Sequence, residues 1–336
     1  MPIIAELTRV INHAFNRVRT FFHPERFQGW GKQHTYFEGW YFKLVDPSTR
    51  RKVAIIPGVA MDAKADRHSF VQVLDGNKKT ARYHRFPIEG FKPSARDFSV
   101  GVQGNLFSDR MINVRLDGCK GQIHFDRNVP WPKPFYSPGI MGPFAFVPFM
   151  ECYHGIVSMD HQLKGKLMLD DEEVDFTGGR GYIEKDWGRS FPSAYIWMQC
   201  NHFSQSGTSL KCSVARIPWM GSAFTGFIAG LWWEGRLHRF TTYNRSRLIR
   251  SVANLEKVEL VLHNPSYRLM IEVDRDHPTA LASPVMGKME GRIDESMNGV
   301  TRLRLWDRHT SKLLYEDTGG PTALEVAGDI PAITIN

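Results

Sequence analysis

Between Gly181 and Phe203 the sequence runs GYIEKDWGRSFPSAYIWMQCNHF, setting Glu184, Lys185, Asp186 and Arg189 among Tyr182, Trp187, Tyr195 and Trp197. A carboxyl buried beside aromatic rings is pushed towards its protonated form and can deliver a proton. Paired with Lys185 or Arg189, the same group stays ionised and the cluster fastens the chain instead. Charges this dense predict a sharp turn or a site. If the segment is extended, Glu184 and Asp186 share a face, so one of them suffices as the acid.

Glu38 is a second candidate acid. Tyr36, Glu38, Trp40, Phe42 and Leu44 fall on one face of a predicted strand, and a carboxylate buried there needs a partner. Lys43, His68 or Arg189 could supply it, in which case Glu38 ties its strand to a neighbour. Trp40, Trp187 and Trp197 can shield a cation with their ring faces or can pack an ordinary core.

Beyond Pro192 the pattern alternates. Tyr195, Trp197, Gln199, Asn201 and Phe203 share one strand face, a polar and aromatic surface suited to a cavity wall. Gln199 and Asn201 could bind a hydroxyl there or satisfy each other, and Arg189 and His154 join them as candidate binding residues. His154 could accept a proton or be a hydrogen-bonded structural residue. His68, His154 and His202 lack a metal-binding spacing, so no metal is expected. No glycine-rich phosphate loop and no G-x-S-x-G elbow occurs, and no cofactor is expected.

These residues must be positioned by β structure. Short apolar alternations recur from His34 onward, separated by turns such as Asp75-Gly76-Asn77 and Asp117-Gly118, which predicts antiparallel meanders or barrels. Val258–Leu262 and Tyr267–Val273 read as a hairpin. Residues 130–150 hold six prolines with Phe135, Tyr136, Phe144, Phe146 and Phe149. Proline removes ladder donors, so this is a connector or lid whose aromatics should pack over a cavity mouth or between two halves. At the N-terminus Ile4, Leu7, Ile11, Phe15, Val18 and Phe22 keep helical spacing. That apolar face is expected to pack on the domain behind it, with an anionic membrane surface as the alternative.

The chain has 336 residues, 42% of them hydrophobic, and a net charge of +8. This length suits two domains or one large β unit, and no apolar run approaches the ~18 residues of a membrane-spanning helix. The charge is not gathered into a Lys/Arg cluster, which argues against nucleic acid. Cys119, Cys152, Cys200 and Cys212 form no C-x-x-C pair and read as free thiols, although Cys200 and Cys212 could face each other across paired strands.

Tyr36–Lys43 (YFEGWYFK), Tyr153-His-Gly155, Gly181–Pro192 with Trp197-x-Gln-x-Asn201, and Leu324-Glu-Val326 together resemble the tocopherol cyclase family, in order over about residues 34 to 328. The resemblance implies an all-β fold of two lipocalin-like antiparallel halves, barrel or sandwich, related to carotenoid hydratases. The expected divisions are a short amphipathic helix and lead-in (1–30), a first half including the connector (31–175) and a second half (176–336). Plant members carry a plastid-targeting leader and this sequence does not, so a compact cytoplasmic member is expected, with peripheral contact to a membrane as the alternative.

The implied reaction is a cofactor-independent cyclisation of a prenylated hydroquinone or related isoprenoid. A proton goes to a trisubstituted alkene and the phenolic oxygen captures the tertiary cation. That requires an acid protonated near neutrality, aromatic shielding and exclusion of water. Asp186, Glu184 and Glu38 are the candidate acids. A non-catalytic carrier of a hydrophobic molecule would need the same cavity without the acid. A hydratase would let water capture the cation.

Overall fold

The structure, a computed structural model, describes residues 2–336, with side chains from Ile11 onward. A helix, α1 (Pro2–Phe21), leads into 22 strands arranged in two antiparallel sheets. The first sheet holds β1 (Tyr36–Val45), β2 (Lys52–Met61), β3 (Arg67–Asp75), β4 (Thr80–Pro87), β5 (Phe91–Pro93), β6 (Ser99–Val102), β7 (Asn105–Ser108), β8 (Met111–Leu116), β9 (Cys119–Asp126), β10 (Cys152–Leu169), β11 (Glu172–Asp175) and β12 (Arg180–Gly188). The second holds β13 (Ala194–Cys200), β14 (Ser209–Trp219), β15 (Ser222–Trp233), β16 (Arg236–Thr241), β17 (Arg247–Ala253), β18 (Lys257–His263), β19 (Tyr267–Asp274), β20 (Thr279–Val285), β21 (Lys288–Asp307) and β22 (Leu313–Gly328).

In the first sheet the ladders run β4-β3-β2-β1-β12-β10-β9-β8-β7-β6-β5, and in the second β16-β15-β14-β13-β22-β21-β19-β18-β17. Among the described residues no ladder joins the two ends of either path, so the sheets are open rather than closed barrels. The chain crosses between sheets after Gly188. β12 therefore belongs to the first sheet, although the boundary drawn at residue 176 assigns it to the second half.

The central strands are buried on both faces, and each face has a different task. Even-numbered residues of β1, among them Trp40, Phe42 and Leu44, enter a core enclosed by the first sheet alone with Phe98, Phe107 and Phe125. Odd-numbered Tyr41 instead joins Tyr182, Trp197, Ile156 and Leu281 in a second layer between the sheets. β13 divides likewise: Ile196, Met198 and Cys200 fill the second sheet's own core, and Tyr195 and Trp197 face the first sheet. Turns follow the chemistry of their residues. The Asp75 carboxylate accepts the backbone N–H of Asn77 and Lys78 at 2.8 and 2.9 Å, and Gly118 takes a φ of +72°, the left-handed region that glycine enters without strain.

Several expectations need correction. Residues 180–188 form a regular strand rather than a sharp turn. Met198, not Cys200, is opposite Cys212, and all four cysteines are free. Helix α1 does not bury its apolar stripe: Ile11, Phe15, Val18 and Phe22 are exposed, while Ile4 and Leu7 lie outside the described side chains. In the connector Phe144 lines the cavity between the sheets, as expected, and Trp131 and Ile140 join the inter-sheet layer, but Phe135, Tyr136, Phe146 and Phe149 face outward. The Tyr267 hairpin forms as read.

Candidate active site

β12 lies between β1 and β10 in the first sheet, and its alternation sorts the charged run. Tyr182, Glu184 and Asp186 point to the space between the sheets, and Lys185 points into the first core. Register then brings a histidine to the acids, because His154 of β10 is directly opposite Asp186. His154 Nδ1 is 2.6 Å from Asp186 Oδ1. With the carboxylate accepting the Nδ1–H, Nε2 is left facing Glu184 Oε2 at 3.5 Å, where it has no hydrogen-bond partner of its own. Neither Lys185 nor Arg189 pairs with Asp186, contrary to the ion network that the sequence admits.

Glu184 is buried, and its Oε2 accepts two hydrogen bonds, from Tyr182 Oη and from Trp197 Nε1 at 3.0 Å. Burial raises the Glu184 carboxyl above its ordinary range; His154 and Lys211 pull it down and Asp186 pushes it further up. The buried Lys211 ammonium, lowered by its own desolvation, donates to Ser213 Oγ at 2.5 Å.

A cavity between the sheets exposes these groups. Glu184, Asp186, His154 and Lys211 line it on the polar side. Phe37, Tyr41, Phe70, Trp197, Phe227 and Ile293 form much of the apolar wall. Gly39 contributes bare backbone to the same wall.

Other candidate residues are distributed differently. Tyr195 and Trp197 line the cavity as expected. Gln199 shares their strand face but lies outside the cavity lining, and its Oε1 accepts from the buried Lys43 ammonium at 2.9 Å. Asn201, beyond the end of β13, donates to Asp160 and to the Gly181 carbonyl. Arg189 bonds Glu151 at 3.2 Å, and Trp187 stacks on Tyr153; both line an adjoining cleft instead.

Glu38 and Trp40 lie on the opposite face of β1, inside the first core. There Glu38 is fully buried with Lys185, Oε1 to Nζ 2.6 Å, and not with Lys43, His68 or Arg189. The backbone N–H groups of Gln28 and Gly29 also donate to it, at 2.9 to 3.0 Å. Lys185 in turn donates to the carbonyls of Pro24 and Arg26 and sits 4.4 Å from the Trp187 ring centre. This cluster fastens the segment after α1 to the sheet.

Two acids escaped the sequence reading. Glu295 and Glu325 are cross-strand partners, bonded to Tyr41 Oη and, at 2.8 Å, to Tyr195 Oη respectively. Ionised together at that separation they would repel. Burial pushes Glu295 up to about 8 and Glu325 well above its usual range. Glu325 lines the cavity. Its one signal in the sequence was its place in the Leu324-Glu-Val326 landmark.

Two open antiparallel sheets enclosing an aromatic, acid-lined cavity define a lipocalin-like protein. Solved structures share this architecture at low identity. CghA with Sch210972 gives a TM-score of 0.53 at 10% identity, covering 88% of this chain and 89% of that one. A protein provisionally described as AttH, from Nitrosomonas europaea, gives 0.52 at 12%, covering 87% and 92%. The tocopherol cyclase-like family matches residues 119–328, and the chain belongs to that family. "Probable tocopherol cyclase, chloroplastic" of Oryza sativa subsp. japonica is 23% identical over 89% of this chain and 76% of its own length. "Tocopherol cyclase, chloroplastic" of Zea mays is 22% identical over the same shares.

Proposed function

We propose that the protein is an isomerase that cyclises a prenylated hydroquinone or a related isoprenoid, with Glu184 as the proton donor. The observation that carries this reading is a buried, cavity-lining carboxyl, raised by desolvation, in a wall otherwise built largely from aromatic and aliphatic side chains. The names of the relatives support the substrate class.

The Glu184 carboxyl protonates the alkene, and the tertiary cation forms between the faces of Tyr41, Trp197 and Phe227. The phenolic oxygen closes the ring before water can reach the cation, since the walls are apolar. The phenolic proton returns to the Glu184 carboxylate through His154 Nε2. No atom is gained or lost, so the cycle needs no cofactor. Asp186 acts through His154, fixing its tautomer, rather than as the acid itself.

The test is to incubate the purified protein with a prenylated hydroquinone and look for the chromanol by mass spectrometry. Chromanol formation is expected. Tight retention of the unchanged quinol, with no product at any pH between 5 and 8, would assign the cavity to a carrier.

A further inference from the structure

Helix α1 meets the rest of the protein the wrong way round for a soluble helix. Amphipathic helices bury their apolar stripe. Here, among the described side chains, Thr20 is buried and His13 and Asn16 are half-buried, while Phe15 is 64% and Val18 75% exposed. His13 lies beside Trp30, and Arg17 Nε donates to the Trp30 carbonyl at 2.6 Å, so the polar edge makes the attachment. Ile11, Phe15, Val18 and Phe22 point outward at helical spacing.

The proline-rich connector extends this surface. Phe22 stacks on Phe135 with ring centres 5.3 Å apart, and Phe21 lies 5.5 Å from Phe146. Phe135 is 79% and its neighbour Tyr136 76% exposed, and Phe146 and Phe149 are also exposed. The result is one continuous apolar face from two segments distant in sequence, of a kind that marks an interaction site.

Charge selects the partner. Residues 11–22 and 130–150 contain Arg17, Arg19 and Lys133 and no aspartate or glutamate, and since Lys133 pairs with Glu25 at 2.9 Å, Arg17 and Arg19 are the cations this face offers. Apolar rings beside these arginines suit an anionic lipid surface. The position of the face relative to the cavity points the same way. A cleft lined by Phe21, Phe146 and Phe149 runs inward to Met150 and His154, and both of these also line the cavity between the sheets.

We propose that α1 and the connector dock the protein on an anionic bilayer, so that an apolar ligand passes from the lipid through this cleft to His154 without crossing water. The docking surface does not depend on which reaction the cavity performs, and its test reads binding alone. The full chain is sedimented with phosphatidylcholine vesicles, with and without 30% phosphatidylglycerol, alongside Phe15→Glu/Val18→Glu and Phe135→Glu/Tyr136→Glu. These four side chains line neither the cavity nor the cleft.

Binding to the phosphatidylglycerol vesicles is expected, weakening as salt is raised, and each double variant should lower partitioning by about 10-fold or more. Two outcomes overturn the proposal. One is a chain that stays in the supernatant with both vesicle types, or variants that bind like the unmodified protein. The other is a dimer by light scattering that the variants convert to monomer without vesicle binding, which would mean that a second copy covers this face.

Discussion

Replacing Glu38 with glutamine removes one charge from a pair that is wholly buried, 2.6 Å apart, and leaves the Lys185 ammonium with two carbonyl acceptors and two indole faces. Breaking such a pair from one side costs about 3–5 kcal/mol, because the remaining charge has lost its counterion. The amide also presents an N–H where Gln28, Gly29, Tyr36 and Lys185 all donate, so one donor loses its acceptor. In a chain of this length each kcal/mol lowers the melting temperature by ~2 °C, which gives a drop of ~6–10 °C. Glu38→Gln/Lys185→Met, lacking both charges, should recover much of the loss. The assay is thermal unfolding followed by circular dichroism, with turnover measured well below the transition. A Glu38→Gln protein that melts within ~2 °C of the original, or one that keeps its fold and loses turnover, would refute a fastening role and return Glu38 to the acid candidates.

Three further outcomes are expected. A Cβ at Gly39 would meet nothing closer than the Pro57 carbonyl at 3.6 Å, so Gly39→Ala should fold normally while narrowing the cavity, raising KM more than it lowers kcat in steady-state kinetics. His154→Gln should cut kcat by about 100-fold, the scale of a lost proton-transfer group, with little change in melting temperature. Glu295 is raised in the folded state, so its contribution to stability is fully present below the unfolded value of ~4.5 and is lost as pH rises through about 8. Urea unfolding should therefore show stability falling by a few kcal/mol across that window, on the order of 1.4 kcal/mol per unit at the steepest, and Glu295→Gln should flatten the fall.

Much of the architecture was legible in the sequence because β alternation was intact. Tyr36–Val45 and Tyr195–Trp197 were read on the correct faces, and the turn residues marked many of the strand ends. Residues 182–186 resisted because a strand between two cores need not alternate apolar with polar. Both of its faces are buried, and its charges are satisfied by His154 on one side and Glu38 on the other. Those pairings depend on register. No local rule links Tyr41 to Glu295, 254 positions away, or sets Glu325 opposite Glu295. Gln199 and Asn201 kept the predicted strand face or its extension but met Lys43 and Asp160, which sequence spacing could not show. The helix expectation went astray for another reason. Periodicity shows that a stripe is apolar, but not what covers it.

Whether Glu184 supplies the proton is decided by kcat/KM for Glu184→Gln on a prenylated hydroquinone, measured beside Asp186→Asn and Glu38→Gln. Losing the general acid should lower kcat/KM by about 100- to 10,000-fold in a protein whose melting temperature is unchanged. Asp186→Asn should fall by less, since it only orients His154, and Glu38→Gln should fall only as far as it unfolds. Near-normal turnover in a folded Glu184→Gln protein, with activity abolished in either of the others, would contradict the account.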